Sequence, residues 1–534
     1  MNHLTTNKAL PFARTRAANG FVRTELKVAG GEAPVGEQPD ATGGVSLTPL
    51  ATFIHLSDLH ICDTQSPARV EFLDRYADPD YASREIIDYV GTYRPQEFLT
   101  LQVLEAMVQS ANRIDAGPLL GGEISGVLIT GDVIDNGQEN ELSWYKTLLE
   151  GGSVAQQSGD PASVEASHAT HPNFVDQHYY KPDSSQGQRS DEIFGMVQLS
   201  GLVSAAHEPL DATGLRHSWY AIHGNHDAML QGTVRPNQDL QDFVTGKQKL
   251  YGVIEGASIE AVFAPFSEVG PSSYPPVELM TTVEVTPDEH RRFIGMDDWV
   301  QAHVECGHDH GLTHHSKVGY WTRDFGEVRV IALDTVNEWS GWQGCLDRTQ
   351  FDWLSAVLQR SRDKYVVLTS HHPLTDLFNG YAPEGQPKPA LEAEVRELLA
   401  EYPNVILWIA GHVHDHNIGF AKAPNAEHGF WQIRTGSHMD WPQQSRVIEI
   451  AKTTDGRIAI GTVVFNHAGT EILHLSELLQ ATEQDLANPL YLAGISRILS
   501  ANDWQRFDGS NSLEVLEGRP EDRNAWLWLS DPLD

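Results

Sequence analysis

The sequence predicts an α/β fold built on mixed β-sheets flanked by helices, with long insertions. Three observations carry that prediction. Short β-prone runs recur along the chain, and six of them stop at a polar cluster. Segments with apolar residues at helical spacing fall between those runs. Later runs follow one another with no helix between them, which points to antiparallel strands in a second sheet.

Taken in order, residues 1–50 are rich in Gly, Pro and Ala and read as a lead-in draped over the folded body. Residues 51–57 form the first strong strand, and residues 126–130 repeat its design ahead of Gly131 and Asp132. The same arrangement recurs at 218–222 before Gly224, at 328–333 before Asp334, at 365–369 before His371 and at 405–410 before Gly411. Helical faces lie in Phe98, Leu101, Leu104 and Val108, in Phe351, Leu354, Val357 and Leu358, and in Leu391, Val395 and Leu398. The runs 430–434, 446–450 and 458–464 are the antiparallel candidates.

Two connections are too long for ordinary loops, at about 137–215 and 228–327, so each should contain structure of its own and shape the cleft. The predicted organisation is therefore a lead-in over 1–50, a main body over 51–474 carrying those two insertions, and a bracing segment over 475–534 with Trp504, Trp526 and Trp528.

Composition narrows the function. With 40% hydrophobic and 21% charged residues the chain is an ordinary globular protein rather than a disordered or fibrous one. Its 37 basic and 73 acidic residues leave a net charge of −36, which repels a polyphosphate backbone, so no nucleic-acid partner is expected. Three cysteines, Cys62, Cys306 and Cys345, cannot all pair and are too few to staple a chain of this length, so reduced thiols are expected. No apolar run approaches the ~18 residues of a membrane span, and the first twenty residues hold no signal-peptide core. The expectation is no membrane partner and a cytoplasmic location, with export open if the start shown omits a signal.

The chemistry lies just past the strands. Five segments share a bias toward Asp, Asn and His: Asp58-Leu-His60, Gly131-Asp132-Val-Ile-Asp135-Asn136, Gly224-Asn225-His226-Asp227, His371-His372-Pro373 and Gly411-His412-Val-His414. Each alone is an unremarkable polar turn. Strand-end loops set side by side by a sheet would bring four imidazoles, two carboxylates and a carboxamide around one point. Burying so many polar groups without a cation costs several kcal/mol for each unsatisfied group, so the segments are either exposed or share metal.

In order and spacing these motifs resemble those of the calcineurin-like metallophosphoesterase superfamily. The resemblance covers roughly residues 51–464, and the runs Asp58-Leu-His-Ile-Cys-Asp63, Leu333-Asp-Thr335 and Gln350-Phe-Asp-Trp-Leu354 look like a long-insert bacterial branch of it. It implies a sandwich of two mixed sheets flanked by helices. It implies a first ion held by Asp58, His60, Asp132 and His414, and a second held by Asp132, Asn225, His371 and His412. Asp132 would bridge the pair, which two-metal sites set roughly 3.5–4 Å apart.

The expected cofactors are two divalent transition-metal ions, Mn, Fe or Zn, which mixed imidazole and oxygen donors accept. Two such ions against two aspartates leave a local charge of about +2, which attracts a small phosphate ester at contact range while salt screens the distant negative surface. The implied reaction is hydrolysis of a phosphomonoester or phosphodiester by metal-activated hydroxide. His226 is the implied catalytic residue, stabilising the transition state or protonating the leaving oxygen. Asp227 is expected to orient its ring, with helix capping as the competing role.

Other residues are weighed beside this set. His372 competes with His371, which is preferred because the superfamily places its ligand two residues before the proline. Purple acid phosphatases, a related branch, carry a tyrosine ligand where this chain has Asp135 and no histidine matching His60, so a ferric-tyrosinate centre is not expected. The segment from His303 to His315, with Cys306, His308 and His310, fits no standard structural zinc spacing and reads as a solvated loop. Cys62 reads as a small buried filler. Arg69 and Arg446 are candidate phosphate contacts, and Trp339, Trp342 and Trp441 are candidate cleft walls. The rival function is a catalytically silent scaffold of the same fold, as in relatives that have lost ligands; here every expected donor is present.

Overall fold

The computed structural model describes the chain except for residues 1–11, 17–21, 28–30, 40–43, 79–80, 86, 88–89, 185–188, 267–268, 306–309, 314–315, 340, 425–426 and 507–511. Two six-stranded sheets carry the fold. In chain order their strands are β1 (Leu47–Leu56), β2 (Gly126–Ile129), β3 (Trp219–Ala221), β4 (Trp321–Phe325), β5 (Val328–Leu333), β6 (Tyr365–Ser370), β7 (Val405–Ala410), β8 (Asn417–Lys422), β9 (Gly429–Arg434), β10 (Gln444–Thr453), β11 (Arg457–Asn466) and β12 (Ala525–Ser530). The first sheet runs β12-β11-β10-β1-β2-β3 and the second β4-β5-β6-β7-β9-β8.

Both sheets are mixed. β1, β2 and β3 are parallel, as are β5, β6, β7 and β9, while β10, β11 and β12 in the first sheet and β4 and β8 in the second pair antiparallel. β2, β6 and β7 are buried along their whole length, which is why they read as continuous apolar runs rather than alternating ones. Phe53, Val127, Val330, Val367, Leu407, Ile433, Val447 and Ile460, drawn from both sheets, share one core. The alternate residues of the second sheet, Ile331, Leu333, Val366, Leu368 and Trp408, pack with Leu354, Val357, Val395 and Leu399 of two covering helices.

Five helices matter to the site: α1 (Thr100–Ala111), α2 (Glu139–Glu150), α3 (Arg348–Gln359), α4 (Glu392–Leu399) and α5 (Pro489–Ser500). α3 starts where Asp347 accepts the Gln350 backbone N–H at 2.9 Å, a side-chain cap that satisfies one of the free amides of the first turn. α1 and α2 add Leu101, Leu104, Leu142 and Leu148 to the first core. Among the described residues no helix is long and apolar enough to cross a membrane.

The late strands depart from the sequence expectation of a separate antiparallel sheet. β9 lies parallel to β7, with β8 as the antiparallel edge beyond it. From the end of β9 the chain crosses to the first sheet over residues 435–443, and β10 runs back antiparallel to β1 with Arg446 opposite His55. The reason is geometric: a strand leaving the second sheet at the edge where β1 ends can join β1 only in the reverse direction. β12 closes the outer edge of that same sheet, so the carboxy-terminal segment supplies a strand as well as a brace.

The long connections hold structure of their own. Strand pairs 152–154 with 210–212 and 248–253 with 280–284 form small sheets. Tyr179, Tyr180, Leu202 and Leu250 from the insertions meet Leu492, Ile495 and Trp504 from the tail in a second hydrophobic core.

Candidate metal centre

Parallel strands end at a common edge, and that places the five polar segments together. β1 runs into Asp58 and His60, β2 into Asp132, and β3 into Asn225. From the facing sheet β6 runs into His371, and β7 into His412 and His414. Five of these seven side chains stand on left-handed backbone: φ is +51° at Asp58, +46° at His60, +48° at Asp132, +71° at His412 and +61° at His414. Such conformations cost a non-glycine residue of order 1–3 kcal/mol and persist where the surroundings over-determine them. Among the described non-glycine residues only Gln231 and Gln443 share that state without being in the set.

Two glycines let the loops close. A β-carbon at Gly411 would overlap Ser57 Oγ and Asp58 Oδ2, and one at Gly224 would overlap Asp132. The loops therefore pack backbone against carboxylate, and Asp58 and Asp132 are almost wholly buried.

The donor atoms converge in two overlapping groups. Asp58, His60 and His414 offer ligand atoms within 4.8 Å of one another, and so do Asp58, Asp132 and His371. His414 Nε2 lies 3.4 Å from Asp58 Oδ1, and His371 Nε2 lies 3.2 Å from Asp132 Oδ2. His412 completes the outer side, with Nδ1 3.2 Å from His371 Nε2.

The imidazoles are locked from behind. His60 Nδ1 donates to Asp135 at 3.0 Å, His414 Nδ1 donates to Asp440 at 2.6 Å, and His371 Nδ1 donates to the Thr130 carbonyl at 2.8 Å. Each bond fixes the tautomer and turns the Nε2 lone pair inward. Arg69 Nη1 anchors Asp135 at 2.6 Å, and Arg94 and Arg506 anchor Asp440 at 2.7 and 2.6 Å. Burial alone would raise these carboxyls, but the imidazoles and guanidiniums beside them outweigh it and hold Asp135 and Asp440 well below the usual carboxylate range. Asp132 is likewise held well below, burial being outweighed by His371 and His226.

Of the supporting residues, Asp440, Arg94 and Arg506 were the ones sequence reasoning missed. One signal was available for Asp440. The run Ser437-His438-Met439-Asp440 follows a predicted strand, as the five recognised segments do. Arg94 and Arg506 carry no such signal.

Asn225 and His226 open a short helix, Asn225–Ala228. Asn225 Nδ2 donates to the Gly232 carbonyl at 3.1 Å, which leaves Oδ1 buried with no hydrogen-bond partner among the described residues. His226 is 19% exposed; its Nδ1 donates to the Asp135 carbonyl at 2.9 Å and faces the Asp135 carboxylate at 3.3 Å, so Nε2 turns toward the centre, 4.0 Å from Asp132 Oδ2.

The expectation that Asp227 orients this ring is corrected. Its Oδ1 accepts the backbone N–H of Val133 and Ile134 at 2.9 and 3.1 Å, and its Oδ2 accepts that of Gly224 at 2.7 Å. Asp227 therefore clamps two loops and caps the helix, and Asp135 does the orienting. His372 is spoken for: Nε2 donates to the Trp342 carbonyl and Nδ1 accepts from Thr335 Oγ1, each at 2.8 Å.

Several other readings change. Arg69 and Arg446 are fully buried; Arg69 is spent on Asp135, Glu97 and Glu71, and Arg446 on the Arg523 and Asp522 carbonyls at 2.6 and 2.8 Å, so neither faces a substrate. Cys62 is buried but receives Arg69 Nη1 at 2.7 Å, a polar junction rather than neutral filler. Trp441 lies in the second core, while Trp339 packs under Arg235 and, as expected of a cleft wall, lines a cavity with Asp334, Asn337 and Tyr381. Trp342, 41% exposed, stacks on His412 with centroids 5.8 Å apart.

The 303–315 segment is not a solvated loop where it is described. His303 and His310 are buried against Trp299 and Trp219. Cys306, His308, His314 and His315 lie outside the described residues.

This arrangement fits cations. With both Nδ1 atoms committed to carboxylates, His60 Nε2 and His414 Nε2 point lone pairs at each other across 3.1 Å, which is favourable only with a positive charge between them. Burial lowers an imidazole pKa, yet the surrounding carboxylates raise His371 and His414 to about 9, the mark of a site that seeks positive charge. The orphaned Asn225 oxygen adds a neutral donor of the kind that coordinates metal.

Comparison with known proteins agrees. Residues 198–416 match the family model for calcineurin-like phosphoesterase. That span contains Asn225, His226, His371, His412 and His414, and leaves Asp58, His60 and Asp132 before it, joined to the others by the sheet. The chain is also similar to tartrate-resistant acid phosphatase type 5 of Homo sapiens, 33% identical over 95 residues, which are 18% of this chain and 26% of that relative. The chain thus matches about a quarter of that relative's length.

Proposed function

We propose, from the match of residues 198–416 to the calcineurin-like phosphoesterase family model, that the chain hydrolyses small phosphoric esters, monoesters or diesters, with a pair of divalent transition-metal ions. The observation that carries this reading is the convergence, on strained left-handed backbone, of donors from the ends of both sheets. One ion would be held by Asp58, His60, Asp132 and His414. The other would be held by Asp132, Asn225, His371 and His412, with Asp132 shared. Bound there, the ions would neutralise phosphoryl oxygens and acidify a water nucleophile.

The chain's own residues do the rest. Asp135 and Asp440 keep the imidazole lone pairs aimed inward, so little reorganisation is needed when charge develops. His226, its Nδ1 tied to Asp135, presents Nε2–H at the open side of the centre. Burial lowers its pKa, but Asp132 and Asp135 outweigh burial and raise it, which keeps a proton there for the leaving oxygen. Trp342, exposed and stacked on His412, would meet the ester substituent. No expected donor is replaced by an inert side chain, which speaks against a silent scaffold.

The test is hydrolysis of an aryl monoester, an aryl diester and a cyclic nucleotide by chelator-stripped protein given Mn²⁺, Zn²⁺ or Fe²⁺ in turn. Metal-dependent turnover of at least one ester is expected. No turnover with any combination by folded, metal-loaded protein would overturn the proposal.

A further inference from the structure

Behind His414 a carboxylate gathers two arginines from distant parts of the chain. Asp440 sits on the crossing from β9 to β10 and is 1% exposed. Its Oδ2 accepts His414 Nδ1–H at 2.6 Å and Arg506 Nη2–H at 2.6 Å, while Arg94 donates Nε to Oδ1 at 2.7 Å and Nη2 to Oδ2 at 3.2 Å. Arg94 precedes α1, and Arg506 follows α5 in the carboxy-terminal segment. Neither belongs to a strand-end motif.

The geometry has a direction. A carboxylate flanked by two buried guanidiniums is a fixed acceptor, so His414 must place its proton on Nδ1 and its lone pair on Nε2, facing Asp58 Oδ1 at 3.4 Å and His60 Nε2 at 3.1 Å. The other ion's histidines lack this arrangement: His371 is backed by a neutral carbonyl, and Nδ1 of His412 faces His371.

Building on the two-ion reading above, we infer that Asp440, clamped by Arg94 and Arg506, is a positioning residue that sets the tautomer and donor strength of His414, so that the carboxy-terminal segment, through Arg506, controls the affinity for the ion held by Asp58, His60 and His414. A merely structural brace would act on both ions alike. A positioning residue acts on one.

The test titrates full-length, chelator-stripped protein with Zn²⁺, and with Co²⁺ for its absorption spectrum, comparing wild type, Asp440→Asn and Arg506→Gln. In Asp440→Asn one of the two Zn²⁺ dissociation constants should rise about 10- to 100-fold while the other stays within about twofold, and the Co²⁺ spectrum of one site alone should change. Arg506→Gln, which leaves Arg94 on Asp440, should shift the same constant by a smaller factor. It decides the matter if Asp440→Asn does not fold. Two unchanged constants, or two constants weakened equally, in a folded variant would overturn the inference. Wild-type protein that binds no ion would overturn the two-ion reading itself.

Discussion

Two regions of this protein are rich in histidine, and they do opposite things with it. At the strand ends His60, His371, His412 and His414 face carboxylates and one another, with ring nitrogens turned into a shared space. In the insertions His303 donates Nδ1 to the Trp299 carbonyl at 2.7 Å, and its ring packs on Trp299 and Trp219. His168 lies flat against Phe98 and His207. Burial, with His310, His223 and Lys146 adding to it, pushes the His303 pKa down to about 3, whereas carboxylates raise His371 and His414 to about 9. Histidine density is therefore no sign of a metal site. Inward lone pairs beside buried carboxylates are.

The sharpest way to break that contrast is at Asp132, the carboxylate proposed to serve both ions. Asp132→Ala should lose both ions and reduce ester hydrolysis to background, read by metal analysis of desalted protein and by turnover; retention of both ions would refute the sharing. His226→Ala should keep two ions and lower turnover by ~10²-fold or more, the scale of general acid catalysis. Unchanged turnover would remove His226 from the chemistry.

Acid should separate the two groups of histidine by stability. His303 has a folded pKa below its unfolded value near 6.5, so above that pH both states are neutral. As pH falls from about 6.5 toward 3, the unfolded state gains a proton the folded state refuses. Stability is then lost at up to about 1.4 kcal/mol per pH unit for each such residue. His303→Gln should leave bound metal and turnover at pH 7.5 unchanged while flattening urea-unfolding stability against pH over that window; loss of an ion would contradict the assignment. The smallest effect belongs to Trp342→Ala, which should raise KM for an aryl phosphate a few-fold and leave glycerol phosphate unaffected.

Much of the fold was legible because each site strand is an apolar run ending in a polar cluster. β5 and β7 have the predicted bounds, and β2 and β6 differ by one residue at one end. The pairing of β10 with β1 was not legible, since nothing in the run 446–450 tells which sheet it joins. The donors announced themselves by residue type at strand ends. Their supports did not: Arg69 reads as a phosphate contact until Glu71, Glu97 and Asp135 are seen around it, and Arg506 lies 66 residues beyond Asp440, with no local pattern linking them. Asp227 misled because adjacency to His226 suggested contact, while the helix start turns its carboxylate back onto the loop amides.

The central claim meets its most direct test in anomalous diffraction from crystals grown with Mn²⁺ or Zn²⁺. The account predicts two peaks per chain, roughly 3.5–4 Å apart, one against Asp58, His60 and His414 and the other against Asn225, His371 and His412, with Asp132 between them. A single peak, or density among His303 and His310 in place of the strand ends, would contradict it.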